Sequence, residues 1–373
     1  MAPHASTTDA APAAAGGPED SPRATREDRR PGVVGSLGGR TLGLLVSLLV
    51  LVVAVALSLA VGSRAVPLGT VVDALTAYDG SAEHVVVHDL RVPRTLLGLL
   101  VGAALGVAGA LIQGMTRNPL ADPGILGVNA GAGLGVVLGV ALLGVADVSA
   151  FVWFAFGGAV VAAVAVYLVG SAGRGGATPV RLTLAGIALG AFLSGLTLTM
   201  TLLDPASFDR LRAWGGTSGA WGSGSIAGAT PATVGDVTPF IVVGLVLALL
   251  VARPLDAVAL GDDLARSLGA HVGRTRVLVG VAVTLLCGAA TAAAGPVAFV
   301  GLMVPHVARW AVGPVQRWIV PYSAVLGAVL VLAADVLGRL VARPGEVPVG
   351  IVTAFVGAPV LIALVRRTRA SGL

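Results

Sequence analysis

A chain of 373 residues that is 56% hydrophobic and 12% charged, with a mean hydropathy of +0.93, has too little polar surface for a water-soluble fold, where about a quarter of residues are charged. The formal net charge is +5, and all 24 basic residues are arginines scattered between apolar runs, with no basic stripe interleaved with aromatics, which excludes a nucleic-acid surface. With no lysine the chain cannot form a Gly-x-x-x-x-Gly-Lys-Ser/Thr loop or a lysine Schiff base, so if ATP powers it, another chain hydrolyses the ATP.

Residues 1–39 are rich in Ala, Pro, Arg and acidic residues without apolar periodicity, and read as a disordered N-terminal tail ahead of a membrane domain over 40–369. The run Thr41 to Val61 is longer than a signal-peptide core and follows a long leader, so it reads as a retained first helix, although Ser58 to Ala65 loosely resembles a cleavage region. Further runs of membrane length lie at about 95–116, 124–146, 150–170, 182–203, 236–252, 277–296, 319–338 and 348–365. The segment Val297 to Ala311, interrupted by Pro305 and His306, either crosses as a tenth span or re-enters. The fold class expected is all-α, a polytopic integral membrane protein of about ten transmembrane helices.

With ten spans, 17 of the 24 arginines fall on one side. The other side holds Arg64, Arg91, Arg94, Arg210, Arg212, Arg339 and Arg343. The excess marks the cytoplasm and places both termini there, in a multi-pass protein of the cell membrane.

Small residues recur every fourth position at Gly98, Gly102, Gly106, Ala110 and Gly114, at Gly127, Gly131, Gly135 and Gly139, and at Gly186, Gly190 and Ser194. Such stripes predict close helix packing within the subunit. Gly102-Ala103-Ala104 with Ala108-Gly109 recurs as Gly288-Ala289-Ala290 with Ala294-Gly295, and Pro119 and Pro305 share the same offset of 186 residues. One reading is an inverted repeat, since the copies would run in opposite directions. The other is coincidence in a chain rich in Gly and Ala.

No HExxH, paired helical carboxylates or Ser, His and Asp grouping points to an enzyme, and no metal ligand set is present. The single cysteine, Cys287, excludes an intrachain disulfide and reads as packing. His306 reads as a structural residue. Asp335, with Arg339 one turn later, reads as a pair that lowers the cost of both charges.

Two interruptions are informative. Thr116-Arg117-Asn118-Pro119-Leu120-Ala121-Asp122-Pro123-Gly124 sets two prolines and a glycine between spans and predicts a stiff, shaped turn. Leu260 to Gly269 predicts a short helix ending at glycine, too polar to span, suited either to docking a soluble partner or to lying on the lipid surface.

From about Thr41 to Arg369 the chain resembles the FecCD family of ABC importer permeases. The resemblance rests on Arg91-Val92-Pro93-Arg94, on Gln113-Gly114 followed by Arg117 to Gly124, and on Leu126-Gly127-Val128. It extends to Trp214 with its glycine-rich sequel, Gly295 to Leu302 with Val304-Pro305-His306, and Pro348-Val349-Gly350 leading to Gly357-Ala358-Pro359. Asp263, Ala265, Leu268 and Gly269 resemble the ATPase-coupling loop of such permeases, with Asp263 and Leu264 where Glu-Ala is usual.

The resemblance implies ten helices per subunit, two permease subunits, identical or paired with a second chain, and two separate ATP-binding-cassette ATPases. It implies an extracytoplasmic substrate-binding protein, and neither cofactor nor catalytic residue. Arg91, Arg94 and Arg339 match positions that offer cations to the binding protein, and Asn118 and Leu120 match the cytoplasmic gate. The cargo implied is a ferric siderophore, with cobalamin or haem as alternatives. A secondary transporter would instead need intramembrane carboxylates facing a cavity, for which Asp335 is the lone candidate.

Overall fold

A computed structural model describes residues 36–62, 66–145, 148–172, 179–204, 224–343 and 345–370. Most of the expected tail, Arg64, Arg174 and the stretch with Arg210, Arg212 and Trp214 lie outside the described residues, as do the side chains of Arg366, Arg367 and Arg369. Every regular element among the described residues is helical.

Helix α1 (Leu37–Ala60) opens on Ser36, whose hydroxyl accepts from the Gly39 amide at 3.1 Å and satisfies one amide that the helix start leaves open. It begins three residues ahead of the expected boundary at residue 40. After the short α2 (Leu68–Thr76), α3 runs unbroken over Ala82–Thr116 with a π-helical turn at Val86–Arg91. Then come α4 (Val128–Leu143), α5 (Val148–Ser171) and α6 (Pro179–Leu203). The second half holds α7 (Pro231–Ala259), the short α8 (Asp262–Ser267) and α9 (Val272–Ala294). It closes with α10 (Val300–Val312), α11 (Gln316–Val341) and α12 (Val349–Ala370).

Seven of these are long and apolar enough to cross a membrane, namely α1, α3, α5, α6, α7, α9 and α11, while α4 and α12 carry shorter apolar stretches. The chain is thus a multi-pass α-helical membrane protein. The segment expected as either a tenth span or a re-entrant element forms α10, whose 13 residues reach about 20 Å, short of a hydrocarbon core of about 30 Å. It is set off from α9 by a break with left-handed backbone at Gly295 (φ +70°) and Phe299 (φ +67°).

The centre of the bundle is α3. In its most apolar window 78% of residues are buried, against 11% in α1 and in α6, which lie at the perimeter. Glycine makes this possible. A Cβ at Gly102 would collide with Gly327 O and the Ala328 backbone of α11, and one at Gly109 would collide with Gly301 of α10. Gly131 and Gly135 of α4 approach the backbone of α5 in the same way. In a membrane, where lipid removes the hydrophobic drive for helix association, such backbone contact supplies the packing. The third stripe departs from expectation at Gly190, where a Cβ would meet nothing within 4 Å among the described residues, whereas Gly186 is buried.

Hydrogen bonds define two ends of the bundle. At one, Tyr322 Oη donates to Arg40 O at 2.6 Å, and Asp256 Oδ1 accepts from the Gln316 amide at 2.7 Å. This end gathers the start of α1, the ends of α3 and α7, α8, and the starts of α9 and α11. At the other, Gly350 N donates to Gly224 O at 3.0 Å and Ser225 N to Ala294 O at 2.7 Å. Helices α3 and α9 pack together, and because the end of α3 at Arg117 and the start of α9 at Arg276 meet at Asp262 they run in opposite directions, as an inverted repeat requires. The matched prolines do not correspond, since Pro119 lies in a turn and Pro305 inside α10.

Alanine substitution separates the stripes. Gly102→Ala should lower the thermal stability of the purified chain in detergent by about 1–3 kcal/mol through overpacking. Gly190→Ala should leave it unchanged or raise it by up to about 1 kcal/mol.

Candidate functional site

Two clusters lie at opposite ends of α3. At the first, α3 stops at Arg117, whose φ of +53° turns the chain out of the helix. Asn118 Oδ1 accepts from the Leu120 amide at 2.9 Å, and Asn118 O accepts from the Ala121 amide at 3.1 Å, so the asparagine holds the turn from both its side chain and its backbone. Asp122 Oδ1 then accepts from the Gly124 amide at 2.7 Å and opens a 3-10 turn at Pro123–Leu126, which Gly127 ends at φ +71°. Burial pushes the Asp122 carboxyl above the usual carboxylate range, against the Gly124 amide, which pulls it down. Leu120 stands 45% exposed on this braced turn.

Beside it, α8 ends in a Schellman cap. The Ala270 amide donates to Ala265 O at 2.9 Å and the Gly269 amide to Arg266 O at 3.0 Å, with Gly269 at φ +81°. Ala265 is fully buried, Asp263 is exposed, and Leu264 and Leu268 are 50% and 64% exposed. The helix thus presents two leucines and a carboxylate while Ala265 anchors it.

The turn and the helix meet at Asp262. Its carboxylate accepts from Arg117 Nη2 at 2.8 Å and from Arg276 Nη2 of α9 at 2.9 Å. Asp263 pairs only locally, with Arg266 at 2.9 Å. The sequence singled out Asp263 from the Asp-Asp doublet, but the junction belongs to Asp262. The only signal in the sequence was the doublet itself, because Arg117 is 145 positions away.

Gln113 was noted only as part of a motif. Pro305 has no amide, so Gly301 O in α10 lacks its helical donor. Gln113 Nε2 approaches that oxygen at 3.3 Å and Leu302 O at 3.0 Å, while its Oε1 accepts from Arg309 at 3.2 Å. His306 is not fully satisfied as expected, since its buried Nδ1 has no hydrogen-bond partner among the described residues.

At the second cluster the arginines turn inward. Arg91 Nη1 donates to Leu59 O at 2.6 Å and Ala60 O at 2.8 Å. Arg339 donates to Ser58 O at 3.0 Å and Val61 O at 2.7 Å, and Arg343 to Gly62 O at 2.9 Å. Together they close the carbonyl end of α1, where cations also meet the negative end of the helix dipole. Asp335 lies between Arg339 at 2.5 Å and Arg94 at 2.7 Å, and Arg94 reaches on to Glu346 at 2.7 Å. Asp335 and Arg339 form the pair that the sequence anticipated. Arg94 is the member it missed. Among the described residues no three His, Cys, Asp or Glu side chains gather as a metal site would need.

A family model described as the FecCD transport family matches residues 49–367. The chain is 48% identical over 325 residues to the ferric enterobactin transport system permease protein FepD of Escherichia coli (strain K12), covering 87% of this chain and 95% of that protein. It is 41% identical over 330 residues to the Fe(3+)-citrate import system permease protein YfmD of Bacillus subtilis (strain 168), covering 88% and 96%. A solved structure described as an inward-facing ABC transporter assigned to the metal-chelate type superposes with a TM-score of 0.75 at 25% identity, over 88% of this chain and 99% of that one.

The buried triad sets a stability test. Asp335→Ala leaves Arg94 and Arg339 without their shared carboxylate and should cost about 3–5 kcal/mol in thermal unfolding. Glu346→Ala, at the more exposed edge, should cost at most about 1 kcal/mol.

Proposed function

Because the chain belongs to the FecCD transport family, we propose that it is the permease subunit of an ATP-binding-cassette importer and that its cargo is a ferric siderophore. The near full-length match to a ferric enterobactin permease carries the cargo. Cobalamin and haem are the competing cargoes within the family.

The permease domain runs over 40–369, crosses the membrane ten times, with the short α10 and the non-helical 295–299 stretch ahead of it together making the eighth span, and keeps both termini and the tail 1–39 in the cytoplasm. The start of α1 at the Asp262 end supports placing that end on the cytoplasmic side. The opposed α3 and α9 support two inverted halves. Two permease subunits, as a homodimer or a paired heterodimer, sit on two ATPase subunits, with a binding protein on the far side.

Force enters through α8. Asp263, Leu268 and Gly269 form the coupling surface, with Leu264 and Leu268 as the apolar contacts and the buried Ala265 as its anchor to the bundle. The junction of Asp262 with Arg117 and Arg276 supports direct transmission from this helix to the turn carrying Asn118 and Leu120. Because hydrogen bonds brace that turn internally, it moves as a unit, and Leu120 opens and shuts the pathway. At the opposite end Arg91, Arg94 and Arg339 shape the binding-protein rim, Arg91 and Arg339 from its buried side. Their internal partners support a positioning role for Arg91 and Arg339. Arg94 is the one poised for exchange, because an incoming carboxylate competes with the partly exposed Glu346.

The cargo is tested by uptake of labelled ferric siderophore, cobalamin and haem in a deletion strain carrying this chain with its ATPase and binding protein. Uptake of the siderophore alone is expected, and uptake of only cobalamin or haem would replace the assignment. Coupling is tested by Gly269→Val, which puts a β-branched residue at φ +81° at a local cost of about 1–3 kcal/mol, and by Asp262→Asn. Both should reach the membrane and dock the binding protein yet lose ATP-driven uptake. Normal uptake with an assembled complex would move the coupling surface elsewhere.

A further inference from the structure

Between the second half of α7, the cap of α8 and the start of α9 lies a side groove of about 560 Å³. Leu247, Leu250 and Leu278 line its walls, and Gly269, His271 and Arg274 its lip. Leu250 is 69% exposed, and His271 and Arg274 are also exposed. Arg274 has no acidic partner among the described residues, because Asp262 is engaged by Arg117 and Arg276, and Asp263 by Arg266. An unpaired guanidinium at the mouth of an apolar groove between membrane-crossing helices matches a lipid with an anionic head.

We propose that this groove seats an anionic phospholipid, with an acyl chain along Leu247, Leu250 and Leu278 and the phosphate on Arg274. Depth argues for a lipid chain over the ATPase. Leu247 lies twelve residues, about 18 Å, inside the end of α7 at Ala259. A soluble subunit resting on α8 does not reach that far into hydrocarbon. The lip of the groove includes Leu268 and Gly269, so the seated lipid bears on the cap of α8 and holds it against the bundle.

The test uses the full chain purified with its ATPase subunits after reconstitution in vesicles of phosphatidylcholine, or of phosphatidylcholine with phosphatidylglycerol. Lipid retained on extraction is read by native mass spectrometry. Phosphatidylglycerol should be retained over phosphatidylcholine, and Arg274→Gln should lower that retention roughly fivefold, the scale of one arginine at a charged lipid surface. Leu250→Trp, which fills the groove without touching charge, should lower retention of both lipids, whereas Arg253→Gln should retain phosphatidylglycerol as the native chain does. Equal retention of the two lipids by the native chain, or unchanged retention in both groove variants, overturns the proposal. So does a photo-crosslink from position 250 to an ATPase subunit or to the second permease subunit, which would make the groove a protein seat.

Discussion

A backbone carbonyl or amide left open in hydrocarbon costs several kcal/mol, so wherever a helix starts, stops or loses a bond a side chain has to meet it. That demand organises this molecule. Arg91, Arg339 and Arg343 close the end of α1. Asp256 closes the start of α11, and Gln113 stands in for the amide that Pro305 lacks. Each of these closing side chains comes from a part of the chain other than the helix it serves. The bonds that satisfy the backbone therefore also fix the helices against one another.

Helix α3 is the common member. It supplies Arg91 and Arg94 to one end, Gln113 to α10, and Arg117 to the junction at Asp262. Between those ends it touches α11 and α10 through glycine, backbone against backbone. Contacts of that kind leave no flexible side chains to absorb a displacement. In the coupling proposed above, a push delivered at Asp262 would be carried by whole elements to the turn around Asn118, which is tied to α3 by sequence and to α8 by Asp262.

The sequence made the local features legible and the distant ones illegible, for a physical reason. Gly269 after a polar helix signals a left-handed cap, because few other residues adopt that backbone cheaply, and the cap is present. Asp335 and Arg339 are four apart on a helix, a spacing that brings side chains together. Arg94, 241 positions from Asp335, carries no such signal. Nor does an open carbonyl, since every residue has one, so nothing in Arg91 or Arg339 announced that it would turn back onto α1. The stripes at Gly102 and Gly190 look alike in sequence. Only the neighbouring helix distinguishes them, and at Gly190 the described residues supply none.

The π-helical turn at Val86–Arg91 sets the phase of α3. There the Val92 amide bonds to Val87 O, five residues back, so the helix carries one residue more than an α-helical count allows. Each residue advances a helix by about 100°. That offset lets Val87 face Val66, Val71 and Ala74 beside α2 while Arg94, a turn and more beyond, faces Asp335. Losing a single residue from this stretch would leave every side chain type in place and yet rotate the two portions of α3 out of step. The α2 lobe would swing by about 100° around a rod whose other portion Arg94 holds still. Length, more than composition, is what this short segment has to preserve.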